Sequence, residues 1–393
     1  MRNKTLILAS ILIISTLTAM EAPVLPDILK PNKVIDPIKV PSTFKRTGPT
    51  IQIGILLDTS SSMSGLINQA KEQLWKIINE VAKANKYKKD VVIQVGLFEY
   101  GKSSLPEYEG FLQLLSPLTS DLDKVSDVLF KLHTNGGEEY AGKVILESVN
   151  RFVWSDNKDD LKLLIIAGNE SFAQGNVPYI KAIKKARAND IIINTIFCGD
   201  ANKGVRLSWK KGARLGGGKY FNINHNTQRE YIATPYDDEI ISLGNSLNYT
   251  YINYGSKKER RAKTANTFKQ DNNAKGLSKN SYIERNIVKS KKQYTEASSD
   301  MVTAYMNDAP SIKKISKEEL PQALQGKTSQ EIKQIIEEKR DKRVTLQKKI
   351  KKLEGKRDKF ISKANTTDDK DLGTAIIKSI RKQAIESGFI FKK

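Results

Sequence analysis

An unbroken apolar run that ends on an acid-and-hydroxyl loop constrains this chain more than any other feature. Residues 51–57 read IQIGILL and the next six read DTSSSM. A continuous run of this kind, without polar alternation, suits a parallel strand buried on both faces. Asp58, Ser60 and Ser62 then fall at alternate positions on the turn that follows. Their oxygens can converge on one point. One carboxylate and two hydroxyls form an all-oxygen ligand set, the kind a hard divalent cation such as Mg2+ or Mn2+ prefers. From Leu66 the apolar positions Leu66, Ile67, Ala70, Leu74, Ile77, Ile78 and Val81 repeat at helical spacing. The positive end of that helix dipole would face the loop. Serine and aspartate also cap helices. The strand before and the helix after put this loop at the C-terminal edge of a parallel sheet, where open α/β folds bind ligands.

Further strand and helix patterns alternate down the chain. Strands are expected at Val91–Phe98, Leu161–Ala167 and Ile191–Phe197, with an edge strand at Phe111–Leu115 and a sixth at Lys219–Ile223. Helical stripes lie between them: Leu122, Val125, Leu129 and Leu132; Val144, Ile145, Val149 and Phe152; Val177, Ile180, Ile183 and Ala186. Such alternation implies an α/β fold, a doubly wound and mainly parallel Rossmann-like sheet with helices on both faces. The expected span is 49–255.

The strand with Asp58-x-Ser60-x-Ser62 resembles the first metal loop of von Willebrand factor type A (VWA) domains. The strings IAGNE (166–170), NTIFCG (194–199) and ATPYDDEI (233–240) resemble bacterial exported proteins of that type, which share a helical tail. The resemblance implies a metal-ion-dependent adhesion site that binds Mg2+ or Mn2+. The two serines would bind the cation, the aspartate would help through water, and one position would stay open for a carboxylate of a protein partner. It also implies a second loop with a threonine before the helix at 143–152. Here that loop reads His133-Thr134-Asn135-Gly136-Gly137-Glu138-Glu139, and the threonine position falls on Glu138 or Glu139. Thr134, before the glycines, remains open as well. The third loop of the family carries an aspartate after the fourth strand. This chain has Ala167-Gly168-Asn169-Glu170, so Asn169 or Glu170 would have to supply the oxygen.

The two ends of the chain suggest export and a basic tail. Met1–Ala22 has basic Arg2 and Lys4 before the apolar stretch 6–17, the pattern of a signal peptide. No transmembrane span is expected once it is cleaved, and a periplasmic or secreted location follows. Five prolines mark 23–48 as a linker. A single cysteine, Cys198, excludes an internal disulfide and reads as a packed core residue. The net charge is +22, and residues 256–393 hold 35 of the 66 Lys and Arg but only 18 of the 44 Asp and Glu. That excess suits an acidic polymer or an anionic surface. Aromatics do not interleave with the basic residues, so specific nucleic-acid binding is not expected.

The tail is expected to be a separate helical unit: a polar basic connector at 256–327 and a helical region at 328–393. Ile332, Ile336, Leu346, Ile350, Leu353 and Phe360 fall near a heptad seam that suggests coiled coil. Residues 328–364 read as one long helix, whose interruption by Lys339, Arg343 and Arg357 favours a helical hairpin over a long coiled coil, and 370–393 read as a final short helix. Two further functions compete with a non-enzymatic binding protein. A metal-dependent hydrolase could draw on Ser60 or Ser62 with His133, or on Glu170 as base, but no G-x-S-x-G elbow is present. An envelope scaffold could keep a vestigial metal site. His225 reads as structural.

Overall fold

The computed structural model describes residues 48–224, 231–294, 299–307, 315–364 and 372–391. The export signal at 1–22, the linker at 23–48 apart from Gly48, and His225 lie outside these stretches.

Six strands form the main sheet. They are β1 (Thr50–Asp58), β4 (Val92–Tyr100), β5 (Leu112–Thr119), β6 (Leu161–Gly168), β7 (Ile191–Cys198) and β8 (Gly217–Ile223), in the order β5-β4-β1-β6-β7-β8. Every pairing is parallel except that of edge strand β5 with β4. Read as sheet positions this is 3-2-1-4-5-6, the doubly wound order that reverses direction beside the first strand. The switch point therefore lies between the C-terminal ends of β1 and β6. β1 is buried almost throughout because both its faces are covered. Ile51, Ile53 and Leu57 point into one apolar core, and Leu56 into the other.

Helix α1 (Ser64–Val81) runs back along the sheet on the first face, with α2 (Leu122–Phe130). Helices α3 (Ala141–Arg151), α4 (Tyr179–Ala188) and α6 (Trp209–Leu215) cover the second. Two short segments, β2 (Ala84–Lys86) and β3 (Lys89–Asp90), follow α1, and α5 (Ala201–Arg206) precedes α6. The small helices at 201–215 carry no clear stripe in sequence. They form around Trp209, which is buried against Phe172 and Phe197.

The C-terminal region differs from the separate tail expected from sequence. Its helices are α7 (Asp237–Asn248), α8 (Lys257–Leu277), α9 (Lys279–Lys289), α10 (Met301–Met306), α11 (Ser329–Lys363) and α12 (Leu372–Glu386). The described residues all belong to one compact unit. Leu372, Ile376 and Ile380 of α12 and Val288 of α9 belong to the same apolar core as Trp75 and Ile78 of α1. The short β9 (Ile390–Phe391) pairs with β2. The long helix expected over 328–364 is α11, unbroken over 35 residues, and the helix that follows it, α12, packs on α1.

Buried arginines explain the difference. Arg285 of α9 is fully buried and grips Asp123 of α2 with two nitrogens; it also reaches Asp271 of α8 at 3.0 Å and lies 4.5 Å over the Trp75 ring. Arg343 binds Asp300 at 2.7 Å and the Thr250 carbonyl at 2.7 Å. Arg357 binds Asp237 at 3.0 Å and Glu284 at 2.9 Å. The two arginines that break the heptad pattern are therefore core residues of a different interface. Asp237, within the 233–240 string, serves that interface too.

Candidate metal centre

The loop after β1 sits at the switch point. Asp58 ends β1 beside Tyr100 of β4 and is fully buried. Its Oδ1 accepts a hydrogen bond from the Ser60 N–H at 2.8 Å, while its Oδ2 is buried without a partner. The Ser60 and Ser62 hydroxyl oxygens lie 3.3 Å apart. A 3-10 turn at Ser61–Met63 then leads into α1, with Met63 fully buried as an anchor.

Glycines bring the neighbouring strand ends up against Asp58. Gly101, just past β4, has φ +80°, and a Cβ there would stand 2.9 Å from Asp58 Oδ1 and 2.8 Å from Glu139 Cγ. Gly168, at the end of β6, leaves a gap that a Cβ would fill at 3.0 Å from Asp58 Oδ2 and 2.5 Å from the Tyr100 hydroxyl. That hydroxyl donates to the Ala167 carbonyl at 3.0 Å. These glycines and Tyr100 escaped the sequence reading. Their signal was position, since each lies at or just beyond a strand's C-terminal end.

The second loop docks on the first through the Asn135 N–H, which donates to the Thr59 carbonyl at 3.0 Å. Of the three open choices there, Glu139 is buried beside Ser60. Glu138 is exposed and accepts from Gln174 at 2.5 Å. Thr134 is half-buried and makes no hydrogen bond to the Asp58 loop. In the third loop, the Asn169 side-chain amide donates to Ser62 Oγ at 3.1 Å. Asn169 Oδ1 is buried without a partner. Glu170 is exposed; its backbone carbonyl accepts from Trp209 at 2.7 Å, and its carboxylate acts on Glu139 only through charge.

Burial pushes Asp58 up to about 7, against the Ser60 hydrogen bonds that favour its charged form. Burial likewise pushes Glu139 up to about 7, and Glu170 and Glu138 add repulsion. No basic side chain is among the main influences on either group. Lys102, which follows Gly101, is buried and paired with Glu99 at 3.5 Å. Two desolvated carboxylates without a counter-charge, beside two hydroxyls, are what a divalent cation would satisfy. Adjacent ligands of an octahedral Mg2+ stand about 3 Å apart, given bonds of about 2.1 Å. The hydroxyl spacing suits that, and the orphan oxygens on Asp58 and Asn169 leave acceptors to spare. The chain's own residues therefore fit the group. Among the described residues, no three His, Cys, Asp or Glu side chains gather closely enough to hold a metal alone, so serines would have to share the work.

The pairing of His133 with a loop serine is not assembled. His133 is exposed, and its ring nitrogen lies 3.4 Å from the Lys131 carbonyl, with no hydrogen bond to Ser60 or Ser62. Cys198 is buried, and burial raises its thiol well above the ordinary range, which keeps it protonated.

A doubly wound sheet with an antiparallel edge strand, carrying Asp58-x-Ser60-x-Ser62 at the C-terminal end of its first strand, is the arrangement the sequence resemblance implied. The fold is that of a VWA domain. Solved structures with this domain match weakly. BatB from Bacteroides thetaiotaomicron is 15% identical, over 44% of this chain and 90% of that one, with a TM-score of 0.34. An aerotolerance-related membrane protein from Bacteroides fragilis is 15% identical, over 45% and 93%, with a TM-score of 0.31. The SpRpn10 VWA domain is 16% identical, over 46% and 90%, with a TM-score of 0.33. Likeness at this level carries no functional weight; strand order and the placement of the Asp58 loop identify the VWA fold. No family model matches the chain, and no curated protein does.

Proposed function

We propose that this chain is an exported, non-enzymatic binding protein whose VWA domain holds a protein partner through a cation at the Asp58 loop. Asp58, Ser60, Ser62 and Glu139 would hold Mg2+ or Mn2+, with Asn169 completing the set after a half-turn of its amide. The bound cation would offer a coordination position to a carboxylate of the partner. The chain's own groups do the rest. Gly101 and Gly168 admit the strand ends closely enough to bury Asp58. The Ser60 N–H fixes the Asp58 carboxylate, and Asn169 orients Ser62. Glu138, Thr134 and Glu170 stand at the rim and would meet the partner rather than the ion.

One observation carries this reading: Asp58, buried with an unpartnered Oδ2, and buried Glu139 stand beside the paired Ser60 and Ser62 hydroxyls. Export rests on the sequence of residues 1–22. No described helix is long and apolar enough to cross a membrane. The test is direct titration with Mn2+, followed by electron paramagnetic resonance. The wild type should take up about one ion that Mg2+ displaces. The Ser60→Ala/Ser62→Ala variant should take up none at the same concentrations. Equal uptake by both would discard the site.

A further inference from the structure

The end of the domain opposite the Asp58 loop has a character of its own. α1 leaves the loop at Ser64 and returns over 18 residues, about 27 Å at 1.5 Å per residue, to finish at Val81. Around that far end lie Tyr87, Ile385 and Ile390, which are 66%, 58% and 66% exposed. Tyr87 and Ile390 flank the small β2-β3-β9 sheet, and Ile385 ends α12 beside it. α11 reaches the same end, because Asp358 binds Lys83 at 3.0 Å and Lys83 shares Glu80 with Arg381 of α12.

The outer face of α11 runs down to this pole as a lysine stripe. Lys348, Lys352, Lys356, Lys359 and Lys363 are all exposed. At 100° per residue they fall within about 80° of arc. None makes an ion pair among the described residues. The two acids of this half-helix face elsewhere: Glu354 is buried against Lys291 at 2.6 Å, and Asp358 is taken by Lys83. Phe360, 42% exposed, borders the stripe.

We infer that this pole is a docking surface for an anionic lipid bilayer, with the Asp58 loop held away from it. The lysines match a surface of negative headgroups, and Phe360, Ile385 and Ile390 supply apolar tips for the headgroup–acyl boundary. Aliphatic tips are of no use to a soluble polyanion, and the aromatics are too few and scattered to stack bases, so lipid is favoured over glycan or nucleic acid. The inference is independent of the cation site. It concerns peripheral contact and does not require a spanning helix.

The test is co-sedimentation of the full chain with vesicles of phosphatidylcholine containing one-third phosphatidylglycerol, in the presence of chelator so that the Asp58 loop plays no part. Each Lys near such a surface is worth about fivefold in partitioning. Lys352→Gln/Lys359→Gln/Lys363→Gln should therefore weaken binding about a hundredfold, and Ile385→Ser/Ile390→Ser should weaken what survives in high salt. Ser60→Ala/Ser62→Ala should bind vesicles as the wild type does. Equal binding to pure phosphatidylcholine, or unchanged binding by the triple variant, would overturn the inference. Binding to soluble polyphosphate without binding to vesicles would overturn it as well.

Discussion

Replacing Arg285 should destabilise the whole domain, not a detachable tail. Its guanidinium and Asp123 are both fully buried, and Asp271 is nearly so. Tyr294 bonds to both Arg285 and Asp123, at 3.1 and 2.8 Å. Arg285→Ala removes the cation and leaves Asp123 desolvated with only Tyr294 for company. Breaking a buried pair from one side costs about 3–5 kcal/mol. Loss of the stacking over Trp75 adds to that. Against a total stability of about 5–15 kcal/mol, the loss is a large fraction. Urea unfolding followed by tryptophan fluorescence reads it directly. With m near 3 kcal/mol/M, the midpoint should fall by about 1–1.7 M in a single transition with m unchanged. The paired change Asp123→Leu/Arg285→Met removes both charges and should lose far less, since Lys289 still binds Asp271 at 2.7 Å. A loss below about 1 kcal/mol for Arg285→Ala, or two separate transitions with only one shifted, would refute the account of an integrated C-terminal region.

Three further outcomes follow from the site and the tail. In chelator, Asp58 resists ionisation up to about pH 7 in the folded state against 3.8 when unfolded, so its contribution is fully present below pH 3.8 and is lost as pH rises to 7. That loss is on the order of 4 kcal/mol, and Asp58→Asn should abolish it, which thermal melts at pH 5 and pH 8 would reveal; a variant no more stable than wild type at pH 8 contradicts the burial cost. Gly168→Ala puts a methyl group on Asp58 and Tyr100 and should cost about 1–3 kcal/mol while blunting any response to Mg2+, checked by melting with and without the ion. Truncation after residue 255 should yield a chain without a cooperative melt, because it strips α9 and α12 from the core face of α1; a sharp transition in the fragment would show that the domain stands alone.

Much of the fold was legible because its signals are local. The apolar run at 51–57 could only be a doubly buried strand, and strand–helix alternation set the sheet. Asp58, Ser60 and Ser62 were legible because turn, strand and helix constrain one another within a dozen residues. That Glu139, rather than Glu138 or Thr134, lies buried beside Ser60 was not, because it depends on how Gly137 passes against the Gly101 carbonyl, where a Cβ would stand 2.7 Å away. The C-terminal region misled for a related reason. Arg285 and Asp123 are 162 residues apart, and Arg357 and Asp237 are 120 apart. An arginine in a lysine-rich helix reads as solvated until its distant acid is known. The same long-range pairing ties the strings that carry the resemblance to the C-terminal helices: the one at 233–240 holds Asp237, which binds Arg357, and Asn194 of the one at 194–199 binds Gln383 of α12 at 2.9 Å.

The most direct test of the cation site is thermal melting of wild type and Asp58→Ala, each with excess Mg2+ and with chelator, at pH 8 where the carboxylates have lost their protons. An ion that binds the folded state alone stabilises it by about 2.7 kcal/mol at a hundredfold excess over Kd. The account predicts a higher melting temperature with Mg2+ for the wild type and no change for Asp58→Ala. An equal shift in both proteins, or none in the wild type at millimolar Mg2+ or Mn2+, would contradict it.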